Sequence, residues 1–379
     1  MNILHVVNIP FVIPYFLGKQ LVFFSDKGYK EHIICSSSDE LPVMAKKFHF
    51  EYGTVEILRK FSIWKDLKAV KNTFSYINSR QIDIVTGHTP KGALVAMLAA
   101  YTARVPKRIY FRHGLVYETS HGMKRKLLIA MDRLAAWMAT KVVCVSPSVY
   151  KRSIEDRLNS TLKQIVLSKG TCNGIDVGRF CKDTLNAEKV CSLRKQYDIP
   201  CGCFVVGFTG RLVRDKGIVE LVRAFRILQE KHSDVVMLLV GMYEERDALP
   251  SDVIEMIKNN SKIINTGYVP NAEIEYYYAL MDVFVLPSYR EGFPTSVLEA
   301  SAMELPVVTT RETGCIDSIV EGKTGLFVEH DEREMASVID FFYNNENMRR
   351  LLGSNGRRFV ADNFKESIIW EEIEKLYTN

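Results

Sequence analysis

At 379 residues the chain exceeds the length over which one hydrophobic core usually keeps growing, so two domains are the starting expectation. A hydrophobic content of 47% with 25% charged residues excludes a disordered chain, and no run of about 18 apolar residues offers a spanning helix. The net charge of +5 hides an asymmetry, because residues 1–172 carry 26 Lys and Arg against 12 Asp and Glu while the remainder carries 24 against 33. A basic half of this kind favours an anionic partner such as a phosphate-bearing lipid or a membrane surface. Nucleic acid is the weaker reading, since no recognised module and no platform of interleaved aromatic and basic residues is present.

The eight cysteines are scattered, with no Cys-x-x-Cys pair and no spacing that suggests zinc. Reduced thiols of a cytoplasmic protein are expected. The apolar stretch from Ile9 to Phe24 contains Pro10, Pro14, Lys19 and Gln20, so it reads neither as a span nor as a secretory signal. A soluble or peripheral protein follows.

In chain order, the runs Ile3–Val7, His32–Cys35, Ile82–Thr86, Arg108–Phe111 and Lys141–Val145 are short and rich in β-branched residues, as strands are. Helical patterns at Lys91–Ala103 and Met123–Ala139 lie between them. After a looser polar segment around 173–201 the pattern restarts. Strand runs at Phe204–Phe208, Val235–Val240, Ile263–Thr266, Val283–Leu286 and Pro306–Thr309 alternate with helical ones at Ile218–His232, Ala272–Met281 and Thr295–Met303. Such alternation predicts an α/β chain of two parallel-sheet, Rossmann-like domains, with ligands at the carboxyl ends of the strands. The first domain is expected over 1–172 with a C-terminal helix from about 360 to 379, where Glu366–Tyr377 would pack, and the second over 173–359.

Two segments carry chemistry. The first runs from Gly207 through Gly210 and Arg211 to Lys216 and Gly217, after a strand and before a helix. Its glycines allow close backbone approach, helix-start amides attract a diphosphate, and Arg211 and Lys216 add fixed positive charge. It matches neither the dinucleotide fingerprint nor a Walker loop. A generic strand–turn–helix joint explains it equally well. The second runs Ser288-Tyr-Arg-Glu291-Gly292-Phe293-Pro294-Thr295-Ser296-Val-Leu-Glu299. Glu291 falls in a loop at a strand's carboxyl end and Glu299 about one turn inside the next helix. Carboxylates so placed can hold the hydroxyls of two sugar rings while loop amides meet a diphosphate between them. The alternative is a helix cap followed by a solvated Glu.

The pair Glu291 and Glu299, inside "REGFPTSVLEASAMELPVV", resembles the signature of the retaining nucleotide-sugar glycosyltransferases of family 4. Collinear segments extend the resemblance over nearly the whole chain: "HTPKGALVAMLAA" (88–100), "RHG" (112–114), "VCVSPSV" (143–149), "NGID" with Arg179 and Phe180, "GRLVRDKG" (210–217) and "GKTGLFV" (322–328). The resemblance implies a GT-B fold, with a nucleotide-sugar donor on the second domain and the acceptor on the first. It further implies that Arg211 and Lys216 neutralise the diphosphate and that Glu291 with the amides of Gly292, Phe293, Pro294 and Thr295 addresses the hexose and phosphate. Gly210 would belong to the same donor loop, Glu299 would hold the ribose, and Val269 in the loop after Gly267 would border the base. His113 would face the transferred sugar, and Gly18, His88 and Lys91 would lie on the acceptor side. Where many members carry a Gly-Gly pair, this chain reads Phe16-Leu17-Gly18-Lys19-Gln20.

No Asp-x-Asp loop is present, so no essential metal and no cofactor beyond the donor are expected. Glu291 and Glu299 lie on one side of the donor in this reading, unlike the flanking carboxylates of a glycosidase. The expected reaction retains the anomeric configuration and uses a UDP-hexose or UDP-N-acetylhexosamine. The basic stretch Gly122–Val142, with Lys124, Arg125, Lys126 and Arg133 among Leu127, Leu134 and Trp137, fits a helix on the anionic inner face of the cell membrane. A core-facing helix explains its apolar positions as well. A lipid-diphosphate-linked glycan acceptor for surface polysaccharide would suit that location. The competing functions are a non-catalytic nucleotide-sugar or glycan-binding module and a nucleotide-sugar epimerase.

Overall fold

A computed structural model describes residues 1–58 and 62–378 and divides the chain into two compact units, Met1–Gly174 with Glu366–Asn379, and Ile175–Lys365. The return to the first unit falls later than the expected residue 360. The helix Glu346–Asn363 runs on past that point, and Val360 and Phe364 are buried in the second unit's core.

Among its described residues the first unit holds seven parallel strands, β1 (Asn2–Val6), β2 (Lys30–Cys35), β3 (Phe50–Thr54), β4 (Ile84–Gly87), β5 (Lys107–Arg112), β6 (Lys141–Cys144) and β7 (Gln164–Val166). Their order is β3-β2-β1-β4-β5-β6-β7. The central strands are buried on both faces, which is why they read as nearly unbroken apolar runs. The edge strands β3 and β7 escape the sequence reading because β3 shows exposed polar side chains and β7 is three residues long. The C-terminal helix Glu366–Thr378 closes this unit. Ile369, Trp370, Ile373 and Tyr377 form a helical stripe, all buried. Trp370 packs on Phe23 and Tyr377 on Phe24, with ring centroids 5.2 and 5.1 Å apart, and the Trp370 indole N–H donates to the Asn173 carbonyl at 2.9 Å.

Six parallel strands form the second unit, β8 (Phe204–Thr209), β9 (Val235–Val240), β10 (Ile263–Gly267), β11 (Val283–Leu286), β12 (Val307–Thr309) and β13 (Gly325–Phe327), in the order β10-β9-β8-β11-β12-β13. The segment read as loose and polar around 173–201 contains a helix, Ala187–Gln196, whose N-terminus is capped by the Asn186 side chain accepting from the Lys189 amide at 3.1 Å. The helix expected over 272–281 is shorter, a 3₁₀ turn Asn271–Glu273 followed by Ile274–Tyr278.

Both sheets reverse their order at one place, between β1 and β4 and between β8 and β11. In a doubly wound sheet the crevice outside the strand ends at such a point is where ligands bind. Among the described residues no helix is long and apolar enough to cross a membrane.

Candidate active site

The second unit gathers most of the predicted donor residues at its switch point. Gly210 and Arg211 follow β8, Lys216 lies in the 3₁₀ turn Arg214–Lys216, and Glu291 to Pro294 form the loop from β11 to the helix Thr295–Ala302. Two close backbone approaches fix these turns. A Cβ on Gly217, whose φ is +69°, would lie 2.0 Å from the Pro287 carbonyl oxygen, and one on Gly241 would lie 1.8 Å from that of Gly210. The loop after β11 is tied down as well. The Glu291 amide donates to the Thr313 carbonyl at 2.9 Å, and the Ser288 hydroxyl to the Asp215 carbonyl at 3.0 Å.

Lys216 and Glu291, 75 residues apart in sequence, form a mostly buried ion pair. Arg211 pairs with Glu244 and keeps a largely exposed side chain. The helix Thr295–Ala302 starts at Pro294 with no side-chain cap, leaving its first-turn amides to other partners. Phe293 turns inward, its ring 5.3 Å from that of Phe364, so its backbone and not its side chain borders the loop surface.

Glu299 accepts a hydrogen bond from the Tyr278 hydroxyl at 2.8 Å, and Tyr278 lies 2.7 Å from the Thr209 hydroxyl at the end of β8. Burial pushes the Glu299 carboxyl up to about 7, against the opposing pull of the Tyr278 hydrogen bond and the Arg179 charge. Arg179 is itself held by Glu275 at 2.7 Å. Tyr278 and Thr209 are invisible to sequence reasoning, since one is an aromatic in a helical pattern and the other an ordinary strand residue. Beside this cluster, at the ends of β9 and β10, a concavity of about 650 Å³ is lined by Met242, Tyr243, Lys258, Asn265 and Gly267 among others. Val269, expected to border the base, follows two residues after Gly267 of that lining and is partly buried against the core.

The first unit brings together two of its predicted residues. His88 follows β4 and His113 follows β5, and their Nδ1 and Nε2 atoms lie 2.9 Å apart. Phe16 stacks on His113 with centroids 3.9 Å apart and planes 8° from parallel, two residues before Gly18. Gly18 precedes the helix Lys19–Asp26 with φ +48°, and a Cβ there would press within 2.7 Å of the Pro14 carbonyl oxygen. Burial lowers both imidazoles, His113 to about 3 and His88 well below its ordinary value. Lys91 stands apart from this group, its ammonium bound by both Asp66 oxygens at 2.6 Å. Among the described residues no group of three or more His, Cys, Asp or Glu is placed to hold a metal ion.

Comparison with known proteins identifies the family and the fold. Residues 22–164 match the family model Glycosyltransferase Family 4, and residues 192–359 match Glycosyl transferases group 1. The capsular polysaccharide biosynthesis glycosyltransferase CapM of Staphylococcus aureus is 33% identical, over 99% of this chain and 96% of its own. The Escherichia coli UDP-Gal:alpha-D-GlcNAc-diphosphoundecaprenol alpha-1,3-galactosyltransferase is 23% identical, over 91% of this chain and 88% of its own. The crystal structure of Anabaena HepE in complex with UDP and glucose superposes with a TM-score of 0.82 at 18% identity, covering 100% of this chain and 99% of that one, and so shares the fold. The chain belongs to the glycosyl transferases group 1 family, has the two Rossmann-like domains of the GT-B fold, and is a glycosyltransferase.

Proposed function

We propose that the chain is a retaining transferase that moves a hexose or N-acetylhexosamine from a UDP-sugar to a glycan carried on a lipid diphosphate, in surface polysaccharide biosynthesis. The observation that carries this reading is the cluster at the ends of β8 and β11, where the Lys216–Glu291 pair, the uncapped helix start at Pro294 and the Glu299 carboxyl share one site. Each part matches a part of the donor. Lys216, Arg211 and the helix-start amides offer positive charge where a departing nucleoside diphosphate becomes negative, without requiring a metal. Glu291 would accept from hexose hydroxyls, and Glu299, about one turn into the helix that follows, from the ribose. Their engagement by Lys216 and Tyr278 suits binding roles and not the acid and nucleophile of a glycosidase. In the retaining reaction the leaving phosphate helps to remove the acceptor's proton.

Similarity to CapM and to the E. coli galactosyltransferase supports a polysaccharide product, a UDP-sugar donor and a polyprenyl-diphosphate acceptor. The helix Gly122–Met138 supports a membrane location. One face, with Ala135, Ala136 and Met138, is buried, whereas Met123, Leu127, Leu134 and Trp137 form an exposed stripe at spacings of four, seven and three residues. Lys124, Lys126 and Arg133 flank that stripe and are exposed. An apolar stripe edged by cations suits peripheral binding at an anionic inner leaflet. The test is transfer from UDP-sugars to a polyprenyl-diphosphate-linked N-acetylhexosamine in EDTA, with the product anomer read by NMR. A chelator-resistant product of retained configuration is expected; an inverted anomer or an isomerised free sugar nucleotide would overturn the reading.

A further inference from the structure

His113 is the visible end of a longer chain of buried polar groups. Strand register puts the whole chain on one face of the first unit's sheet. His5 in β1 pairs with Thr86 in β4 and with Ile33 in β2, and Thr86 pairs with Ile109 in β5. Because side chains alternate along a strand, Glu31, His5, Thr86, His88 and His113 all share the parity of those partners. Glu31, His5, Thr86 and His88 are each at most 2% exposed. Such groups are costly to bury within parallel strands unless they are hydrogen-bonded.

They are bonded to one another. Glu31 Oε2 lies 2.8 Å from His5 Nε2. His5 Nδ1 lies 2.7 Å from the Thr86 hydroxyl and 3.3 Å from His88 Nε2, which is itself 3.1 Å from Thr86 Oγ1. His88 Nδ1 then meets His113 Nε2 at 2.9 Å. Phe111 stacks under His88 and Phe16 on His113, with centroids 4.8 and 3.9 Å apart, so neither ring has freedom to turn.

We infer that Glu31, His5, Thr86 and His88 are positioning residues that lock His113 as its Nε2–H tautomer, so that His113 presents the Nδ1 lone pair as an acceptor to a hydroxyl of the transferred sugar. The direction follows from the one end that can only accept. A carboxylate has no proton to give, so His5 Nε2 donates to Glu31. In the proposed ordering His5 holds its single proton on Nε2, so that its Nδ1 accepts from the Thr86 hydroxyl and Thr86 accepts from His88 Nε2–H. His88 Nδ1 in turn accepts from His113 Nε2–H. The low pKa that burial gives His88 and His113 keeps both rings singly protonated, as this ordering needs. The hydrogen bond made by one ring nitrogen fixes what the other can do.

The inference rests on the reading that His113 faces the donor sugar, and its test separates the two. In long-range ¹H–¹⁵N spectra of the full chain with ¹⁵N-labelled histidine, His113 is expected as a single Nε2–H tautomer. Glu31→Gln and Thr86→Val should give a mixture with the Nδ1–H form, and Thr86→Ser, which restores the hydroxyl, should return the single form. Release of UDP from UDP-glucose or UDP-N-acetylglucosamine should fall on the order of tenfold in kcat in the first two variants, with KM within about twofold, and recover in Thr86→Ser. UDP-induced thermal stabilisation, a property of the untouched second unit, should be the same in every variant that folds. The tautomer in the unaltered protein decides the matter even where a variant does not fold. An Nδ1–H tautomer there, or a single tautomer and full rate in both disrupted variants, overturns the relay. A His113→Ala protein as active as the unaltered one overturns instead the placement of His113 at the sugar.

Discussion

A ribose recognised through its two hydroxyls favours an ionised carboxylate, yet the surroundings of Glu299 favour the protonated acid up to about pH 7. Because the folded value lies above the ordinary 4.5, the folded chain binds this proton more tightly, and its contribution to stability is whole below pH 4.5 and is lost as pH rises to about 7. Glu299→Gln should remove that slope. The variant should melt higher than the unaltered protein at pH 8, by on the order of 2 kcal/mol, while losing stabilisation by UDP. Calorimetry at pH 6 should also show proton release on UDP binding to the unaltered chain, seen as a dependence on the buffer's ionisation enthalpy. Glu291 and Glu299 were legible in the sequence because glycine, proline and acid fall at short fixed spacings in one loop and helix, and Lys216 because it ends a glycine-bounded basic turn between a strand and a helix. Tyr278, Thr209, His5 and Glu31 were not. Each is a single polar or aromatic residue whose partner lies 21 to 81 residues away and is brought to it only by the fold.

Among the elements, the strands with apolar side chains on both faces were readable, and the first unit's edge strands were not, because β3 is exposed over most of its length with no clear period and β7 is too short to show one. The turns after the strands matter more to function than the strands do. The loop after β9 passes so close to Gly210 that Gly241→Ala must displace the turn carrying Arg211. We expect it to destabilise the second unit by more than about 2 kcal/mol in urea unfolding and to weaken UDP binding at the same time. The helix Gly122–Met138 makes the opposite prediction. Trp137 is 61% exposed, so Trp137→Glu should leave the melting temperature within about 1 °C. Co-sedimentation with vesicles containing phosphatidylglycerol should nevertheless fall severalfold, and unchanged sedimentation would remove the membrane role from this helix.

For the whole molecule, the chain crosses from the first unit to the second and returns for its last helix. The return is held by buried side chains: Ile369, Ile373 and Tyr377 are 0% exposed and Trp370 is 8%. Tyr377→Ala should therefore cost about 3–5 kcal/mol in the unfolding of the first unit, although the residue lies almost at the C-terminus and far in sequence from β1. UDP should stabilise this variant as it does the unaltered chain, since the donor cluster lies wholly within Ile175–Lys365. In the proposed function this cluster binds the nucleotide half of a sugar donor. The most direct test of that binding is the thermal shift produced by UDP in the presence of EDTA, compared among the unaltered chain, Lys216→Ala and Glu299→Ala. A chelator-insensitive rise of several degrees is expected in the unaltered chain and is lost in both variants. No rise with UDP, or an undiminished rise in the two variants, would contradict it.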